Sequence, residues 1–275
     1  MPGHLVRASA GLALAAALVA CGHGASPGPG TSAGRWTPRI GEPWAWQLTG
    51  TLDLAVSAVI FDVDLVEAPD AALASIHAAG HRVVCYFSAG TDEDWRPDHG
   101  RFAAADVGNA VDGWPGERWL DPRSANVRAV MKDRLALAAL RGCDGVEPDN
   151  VDAYQNGPGF PLTAADQLDF NRFLAAEAHA LGLAVALKND IDQVAELEPD
   201  FDLALNEQCH EFDECGVYAA FTAKRKPVWN AEYASFYVTD SAGLRRAMCA
   251  AARAASMRTL VLPVALDGSF RISCD

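Results

Sequence analysis

The chain alternates short apolar, β-branched runs with longer stretches of helical periodicity, and no other feature of the sequence constrains its fold as strongly. Eight strand-like runs occur at residues 44–48, 58–64, 82–88, 144–148, 183–188, 203–206, 227–230 and 259–266. Several of these runs are apolar throughout, which is typical of parallel strands buried on both faces. The pattern therefore predicts an α/β protein with a parallel sheet.

The stretches between several of these runs carry the start and stop signals of helices. One helix is predicted to begin at Asp70, acting as its N-cap, and to stop at Gly80. A second is predicted to end at Gly142, and a third to begin at Thr163 with Asp166 three positions later. Strands and helices thus alternate along the chain.

Eight strands joined by crossovers predict a closed (β/α)8 TIM barrel that forms a single domain over residues 41–275. The alternative is an open, doubly wound sheet. We favour the barrel because the strand count is eight and because no glycine-rich phosphate loop follows the first strand. The long polar connection over residues 90–119 is predicted to be a loop that passes over the mouth of the barrel.

The segment that precedes this domain is predicted to contain a signal peptide and a tether. Residues 1–20 contain an apolar run that is too short to span a bilayer and is typical of a signal peptide. Residues 18–21 resemble a lipobox, so Cys21 is the predicted site of lipidation; the alternative is an ordinary signal peptide followed by a chance cysteine. Residues 21–40 are predicted to form a flexible tether. We expect an exported protein, either anchored to the membrane through Cys21 or secreted.

Six further cysteines then remain, at positions 85, 143, 209, 215, 249 and 274. An even number in an exported protein predicts disulfides. Cys209 and Cys215 would close a short loop, Cys249 and Cys274 would hold the C-terminus, and the other two would pair; the spacing proves none of these pairings. No CxxC motif occurs and His210 is the only histidine next to a cysteine, so we predict no metal site. We also expect no cofactor.

The net charge of −14 excludes nucleic acid as an expected partner, because an acidic protein repels phosphates. The same charge would attract a cationic ligand. We expect a monomer.

The acidic residues concentrate at the predicted carboxyl ends of the strands, where the active sites of such barrels lie. The segment GCDGVEPDNVD places four carboxylates in nine residues, from Asp144 to Asp152. Asp149 and Glu207 each end a strongly apolar run, and neither is followed at once by a helix that needs a cap. Two carboxylates across a cleft are the equipment for cleavage of a glycosidic bond. Asp149 and Glu207 are therefore the predicted catalytic pair.

The other residues predicted to bind substrate also lie at strand ends or in nearby loops. The acidic and basic members are Asp62, Asp64, Glu147, Asp152, Lys188, Asp190 and Glu232. The aromatic members, on which a sugar ring would pack, are Trp46, Tyr154 and Trp229. Further aromatic side chains in the same regions are Trp44, Trp95, Trp114, Trp119 and Tyr233.

Six sequence blocks resemble glycoside hydrolase family 114. They are WQLTG at 46–50, CYFSAGTDEDWR at 85–96, WLDPRS at 119–124, DGVEPDNVDAY at 144–154, VALKND at 185–190 and NEQC at 206–209. The resemblance implies a (β/α)8 enzyme similar to endo-α-1,4-polygalactosaminidases. It also implies an Asp at the end of the fourth strand and a Glu at the end of the sixth, which match Asp149 and Glu207, with Asp149 as nucleophile and Glu207 as acid/base.

The resemblance implies a cationic, partly deacetylated polysaccharide as substrate. The acidic strand ends would then bind its ammonium groups, each weakly because water screens exposed charges. Two alternatives stay open: a non-catalytic carbohydrate-binding lipoprotein on the same barrel, and a glycosidase for another α-galactoside.

Overall fold

The computed structural model describes residues 34–275, so the predicted signal peptide, Cys21 and most of the predicted tether lie outside the described residues. In chain order the strands are β1 (Trp44–Gln47), β2 (Ile60–Asp64), β3 (Arg82–Ser88), β4 (Thr91–Glu93), β5 (Val107–Ala110), β6 (Glu117–Leu120), β7 (Gly145–Asp149), β8 (Ala184–Lys188), β9 (Leu203–Glu207), β10 (Val228–Glu232), β11 (Met257–Val261) and β12 (Ile272–Ser273). The helices are α1 (Asp70–Ala78), α2 (Ala125–Leu140), α3 (Ala164–Ala180), α4 (Val194–Leu197), α5 (Ala219–Thr222), α6 (Ser235–Val238) and α7 (Leu244–Ala254).

Eight parallel strands form the curled central sheet in the order β1-β2-β3-β7-β8-β9-β10-β11, and each corresponds to one of the eight predicted runs. The fold is the predicted TIM-barrel type. Its first and last parallel strands meet at a seam, where the Trp44 indole donates to the Arg258 carbonyl at 3.0 Å. The Leu48 amide donates to the Leu266 carbonyl at 2.9 Å just beyond the strand ends. The short β12 continues the sheet antiparallel to β11.

The three predicted helices form, with one change at a helix start. Ser124 caps α2, and Thr163 and Asp166 bond reciprocally at the start of α3. Asp70 does not act as the N-cap of α1: Pro69 holds that position, and the Asp70 carboxylate bonds Arg141 at 2.7 Å. Among the described residues no helix separates β1 from β2, and α4 and α5 are single turns.

The connection between β3 and α2 is more ordered than the predicted loop. Residues 91–120 contain a three-stranded antiparallel sheet in the order β4-β6-β5. We call this segment the excursion. Its strands are only three or four residues long and largely polar, which is why hydrophobic periodicity did not reveal them.

Two apolar layers stabilise the barrel. Inside it, Trp44 stacks on Trp229 with ring centroids 5.1 Å apart, and Val84, Ala186 and Leu205 pack around them. A larger layer lies between the strands and the helices. Burial on both faces explains the continuously apolar sequence of the strands.

Three disulfides connect Cys85 with Cys143, Cys209 with Cys215 and Cys249 with Cys274. The disulfide prediction is confirmed, with the pairing that the spacing favoured. The first closes a loop of 58 residues that includes the excursion, and cross-links that close long loops restrict the unfolded chain most. Within residues 34–275, no helix combines the length and apolar character needed to cross a membrane.

Candidate active site

The carboxyl ends of β7, β8 and β9 bring Asp149, Lys188 and Glu207 together in one cleft. Lys188 is buried, and its Nζ lies 3.2 Å from Asp149 Oδ1 and 3.3 Å from Glu207 Oε2. Because both oxygens contact the same nitrogen, the distance between the two oxygens is at most the sum of these two N–O distances. The side chains of Asp149 and Glu207 keep 17% and 27% of their surface exposed, so both remain open to the cleft.

Glu207 is held by groups from two neighbouring strands. The Tyr233 hydroxyl, just after β10, donates to Glu207 Oε1, and Asn189 Nδ2 donates to Oε2 at 3.4 Å. The Glu207 amide donates in turn to Asn189 Oδ1 at 2.9 Å. Burial and the Glu207 charge raise the pKa of Tyr233 well above its usual value, so the phenol stays protonated and can donate.

A left-handed residue follows each of these three strand ends: Asn150, Asn189 and Gln208 have φ of 61°, 46° and 64°. This conformation is uncommon for residues other than glycine, and asparagine is enriched in it. It ends each strand abruptly at the functional side chain. The Asn150 amide also donates to Asp149 Oδ1 at 2.7 Å, which fixes the carboxylate beside Lys188.

Two more acids, Asp62 and Glu147, lie beneath the cleft and are fully buried. Lys188 Nζ contacts Glu147 Oε1 at 2.8 Å, and the other side of the Glu147 carboxyl faces Asp62. Burial raises the pKa of Glu147 to about 7, and burial together with Glu147 raises that of Asp62 well above its usual value. Neither side chain is exposed to substrate, which corrects the prediction that they bind it directly.

The excursion forms one wall of the cleft and supplies residues that sequence reasoning missed. Arg96 bonds Asp64 through both guanidinium Nη atoms, at 2.9 and 2.6 Å, and bonds Glu93 at 2.7 Å. Asp64 therefore lines the cleft with its carboxylate already paired, in contrast to the predicted ammonium-binding role. Burial raises the pKa of Glu117 to about 7, and the nearby charges of Glu93 and Asp149 add to the effect.

Two tryptophans of the excursion, Trp95 and Trp114, are the most accessible aromatic side chains of this wall. Trp95 and Trp114 are 51% and 52% exposed and line the cleft. The cleft has a volume of about 660 Å³, which is within the usual range for ligand sites. It also includes Trp46, Tyr86 and Asp152.

Four of the predicted binding residues lie away from the cleft surface. Trp229 is buried in the barrel interior, and Glu232 is buried with its Oε1 accepting from the His210 amide at 2.9 Å. Asp190 is buried and accepts from Asn171 on α3 at 2.9 Å. Tyr154 is half-buried in the turn after β7, outside the residues that line the cleft. Strand-end position alone therefore overpredicted substrate contact.

Two of the predicted residues sit at the cleft with distinct environments. Trp46 is buried, and Lys188 Nζ lies 4.7 Å above its ring, so the indole forms part of the cleft floor. Asp152 stands beside Asp149, and burial with the Asp149 charge raises its pKa to about 6.

Sequence reasoning missed Tyr86, Glu93, Arg96, Glu117 and Asn189. Only Asn189 carried a usable signal, since it directly follows a strand-ending lysine. The others reach the cleft through the excursion or from within a strand. Elsewhere, Cys209, His210 and Cys215 bring three potential metal ligands together, but both sulfurs are in a disulfide.

A TIM-type barrel with two carboxylates at the carboxyl ends of its strands, on either side of an open cleft, defines a barrel glycoside hydrolase. The chain belongs to glycoside-hydrolase family GH114, whose family model matches residues 26–275. The family resemblance drawn from the six sequence blocks is thus confirmed, as is the prediction that the protein is an enzyme of the glycoside hydrolase class.

Among solved structures, Ega3 of Aspergillus fumigatus, crystallised in complex with galactosamine, is 38% identical with a TM-score of 0.82, covering 90% of this chain and 100% of that one. The glycoside hydrolase domain of PelA from Pseudomonas aeruginosa is 18% identical with a TM-score of 0.66, covering 84% and 98%. The PgaB (BpsB) glycoside hydrolase domain from Bordetella bronchiseptica is 14% identical with a TM-score of 0.51, covering 82% and 94%. The last two support the fold alone. No curated protein sequence matches the chain.

Proposed function

We propose that this enzyme hydrolyses α-1,4-linked galactosamine-containing polysaccharide, with Asp149 and Glu207 as its catalytic pair. The observation that carries the proposal is that both carboxylates contact one buried ammonium, Lys188 Nζ, in a single open cleft. The substrate class rests on the likeness to Ega3, which was crystallised with galactosamine. Export and lipidation at Cys21 remain predictions.

Asp149 is the proposed nucleophile. A nucleophilic carboxylate must be ionised, and Asp149 Oδ1 accepts from the Asn150 amide while facing the Lys188 ammonium. Carboxyl groups about 5–5.5 Å apart are typical of retaining glycosidases, and groups about 6.5–9.5 Å apart of inverting ones. The facing oxygens of Asp149 and Glu207 contact one nitrogen at 3.2 and 3.3 Å, which brings the two carboxyl groups close enough to act on one glycosidic bond. With Asp149 as nucleophile, we propose retention of configuration.

Glu207 is the proposed general acid and base. It must give a proton to the departing oxygen and then take one from water, so it needs access to solvent. Its side chain is the more exposed of the pair, at 27% against 17%. The Tyr233 hydroxyl holds one of its oxygens, which leaves the group oriented while it cycles.

The test is digestion of purified, deacetylated galactosaminan by the wild type and by two isosteric variants. We expect Glu207→Gln and Asp149→Asn each to lower kcat about a thousandfold, because each removes a group that acts only in the reaction. Product masses give the cleavage pattern, and proton NMR of the first product gives the anomeric configuration. Leu140→Ala, at an 84% exposed position on α2, is the matched control.

The same assay separates the two alternatives. Binding of galactosaminan without any product in the wild type, with the same binding in Glu207→Gln, would replace the enzyme proposal by a carbohydrate-binding role. Faster cleavage of neutral galactans than of deacetylated galactosaminan would move the substrate class to another α-galactoside.

A further inference from the structure

Beneath the catalytic pair lie buried carboxylate oxygens that receive no donor. Both oxygens of Asp62 and Oε2 of Glu147 accept no hydrogen bond from any N–H or O–H group of residues 34–275. Both side chains are fully buried, and each is in hydrogen-bonding reach of the other. Two carboxyl groups can bond to each other only if one of them carries a proton, since ionised carboxylates are acceptors alone.

The charge balance of this region leads to the same conclusion. Asp62, Glu147, Asp149 and Glu207 surround one ammonium, that of Lys188, so full ionisation would leave three uncompensated negative charges. The guanidinium of Arg96, in the wall of the cleft, is already paired with Asp64 and Glu93. Uncompensated buried charge is strongly unfavourable, and buried acids take up protons instead.

We propose that Asp62 and Glu147 share one proton and together act as positioning residues, holding Lys188 between Asp149 and Glu207 with a fixed single negative charge beneath it. The shortest contact of Lys188 Nζ is to Glu147, at 2.8 Å, compared with 3.2 and 3.3 Å to the catalytic pair. The pKa values of both acids are raised, mainly by burial, in agreement with a retained proton. The proposal rests on the proposed function only for the identity of the catalytic pair.

Other ionisable groups face this pair from each packed element, and none of them supplies a second cation. They are Tyr86 on β3, Asp149 on β7, Lys188 on β8, Glu207 on β9 and Tyr233 after β10. Arg271 lines the cavity of about 260 Å³ that also contains Asp62, but it forms no ion pair with Asp62 or Glu147, and its Nη2 donates instead to the Trp44 carbonyl at 2.6 Å.

If Asp62 and Glu147 share one proton, replacing either carboxyl group by an amide has a specific expected effect. Asp62→Asn leaves Glu147 ionised, and Glu147→Gln leaves Asp62 ionised, so each single variant keeps one negative charge. The double variant removes that charge. The Lys188 ammonium is then less compensated, and the added positive charge favours ionisation of the catalytic acid. The basic limb of activity therefore moves to lower pH.

The first test is the pH profile of kcat/KM, whose basic limb reports the catalytic acid. In both single variants, the midpoint of the basic limb should lie within a few tenths of a pH unit of the wild-type midpoint. In the double variant, this midpoint should be lower by about 1 pH unit. A lower kcat at every pH with no displacement of the limb in the double variant would mean a merely structural role. Additive displacements in the single variants would mean that both acids are ionised, and either result overturns the proposal.

The second test does not depend on turnover, so it separates failure of this inference from failure of the proposed function. Infrared difference spectra near pH 6 should contain the C=O stretch of a protonated buried carboxyl in wild type minus Asp62→Asn, and again in wild type minus Glu147→Gln. Other protonated acids, such as Asp190, cancel in each difference. Absence of this band from both differences overturns the shared proton, including in the case that the double variant fails to fold.

Discussion

At the scale of single residues, Gly90 shows how closely the backbone is packed around the catalytic pair. A Cβ atom on Gly90 would lie 1.7 Å from the Asn150 carbonyl oxygen. The amides of Ala89 and Gly90 donate to the Asp149 carbonyl at 2.8 and 3.1 Å. The backbone just before the excursion is thus hydrogen-bonded directly to the backbone that presents Asp149.

We expect Gly90→Ala to lower the free energy of unfolding by about 3 kcal/mol, because backbone atoms cannot move aside as a flexible side chain does. Activity should fall as well, because any shift passes through Asn150 to the Asp149 carboxylate. The measurements are denaturant unfolding and kcat on galactosaminan. Gly100→Ala is the control, since a Cβ there meets nothing within 4 Å. Equal stability of the two variants would contradict the close packing.

At the scale of elements, the excursion turns the connection between β3 and α2 into one wall of the cleft. It carries Trp95 and Trp114 to the cleft, where both are half exposed. Indole faces bind sugar rings and, more strongly, cations. These residues lie on the excursion, whereas Asp149 and Glu207 end barrel strands, so they would contact sugar units beyond the cleaved bond.

We expect Trp95→Ala and Trp114→Ala each to raise KM for the polymer about fivefold with little change in kcat, which corresponds to a cation–π contact of about 1 kcal/mol. A substrate too short to reach the excursion should show no such change. Steady-state kinetics on polymer and on short oligomers measure both effects. If KM for the polymer is unaffected in both variants, the excursion does not bind substrate.

The elements also show where sequence reasoning succeeds and where it stops. The eight barrel strands were predictable because burial on both faces leaves a continuous apolar run. Asp149 and Glu207 were predictable as neighbours because parallel strands end at one rim. The excursion strands, the Arg96 ion pairs and the burial of Asp62 were not, since they depend on contacts between distant segments. Trp229 and Glu232 show the converse error: Trp229 packs in the barrel interior and Glu232 is buried against the His210 amide, so neither lines the cleft.

At the scale of the whole molecule, burial raises the pKa values of Asp62 and Glu93 and, to values between about 6 and about 8, those of five further carboxyl groups. The pKa is about 7 for Glu117, Glu147 and Glu232, about 6 for Asp152 and about 8 for Asp190. Carboxyl groups of an unfolded chain titrate near ~4. Between these limits the folded protein holds protons that the unfolded chain has released. The folded state retains these protons because many acids lie close together around the cleft and the barrel rim.

We therefore expect the free energy of unfolding to fall as pH rises from about 5 to about 8, because stability falls with pH wherever the folded state binds more protons. His210 acts in the opposite direction, since burial lowers its pKa, but it is one group against five. Acids with lowered pKa values, such as Asp98 and Asp202, change their contribution to the free energy of unfolding only below about pH 5. Guanidinium unfolding with intact disulfides should give a lower midpoint at about pH 8.

Asp190→Asn tests the origin of this slope at the group whose pKa is raised to about 8. The amide keeps the shape of the side chain, lets its oxygen accept from Asn171 Nδ2 as Asp190 Oδ2 does at 2.9 Å, and removes the group that must ionise. The variant should lose less stability between about pH 5 and about pH 8 than the wild type, and should be the more stable of the two at the higher pH. Asp133→Asn, at a 63% exposed side chain on α2, is the matched control. A wild-type midpoint that is equal or higher at about pH 8 would show that the buried acids are already ionised in the folded protein, and the charge around the cleft would then need another source of compensation.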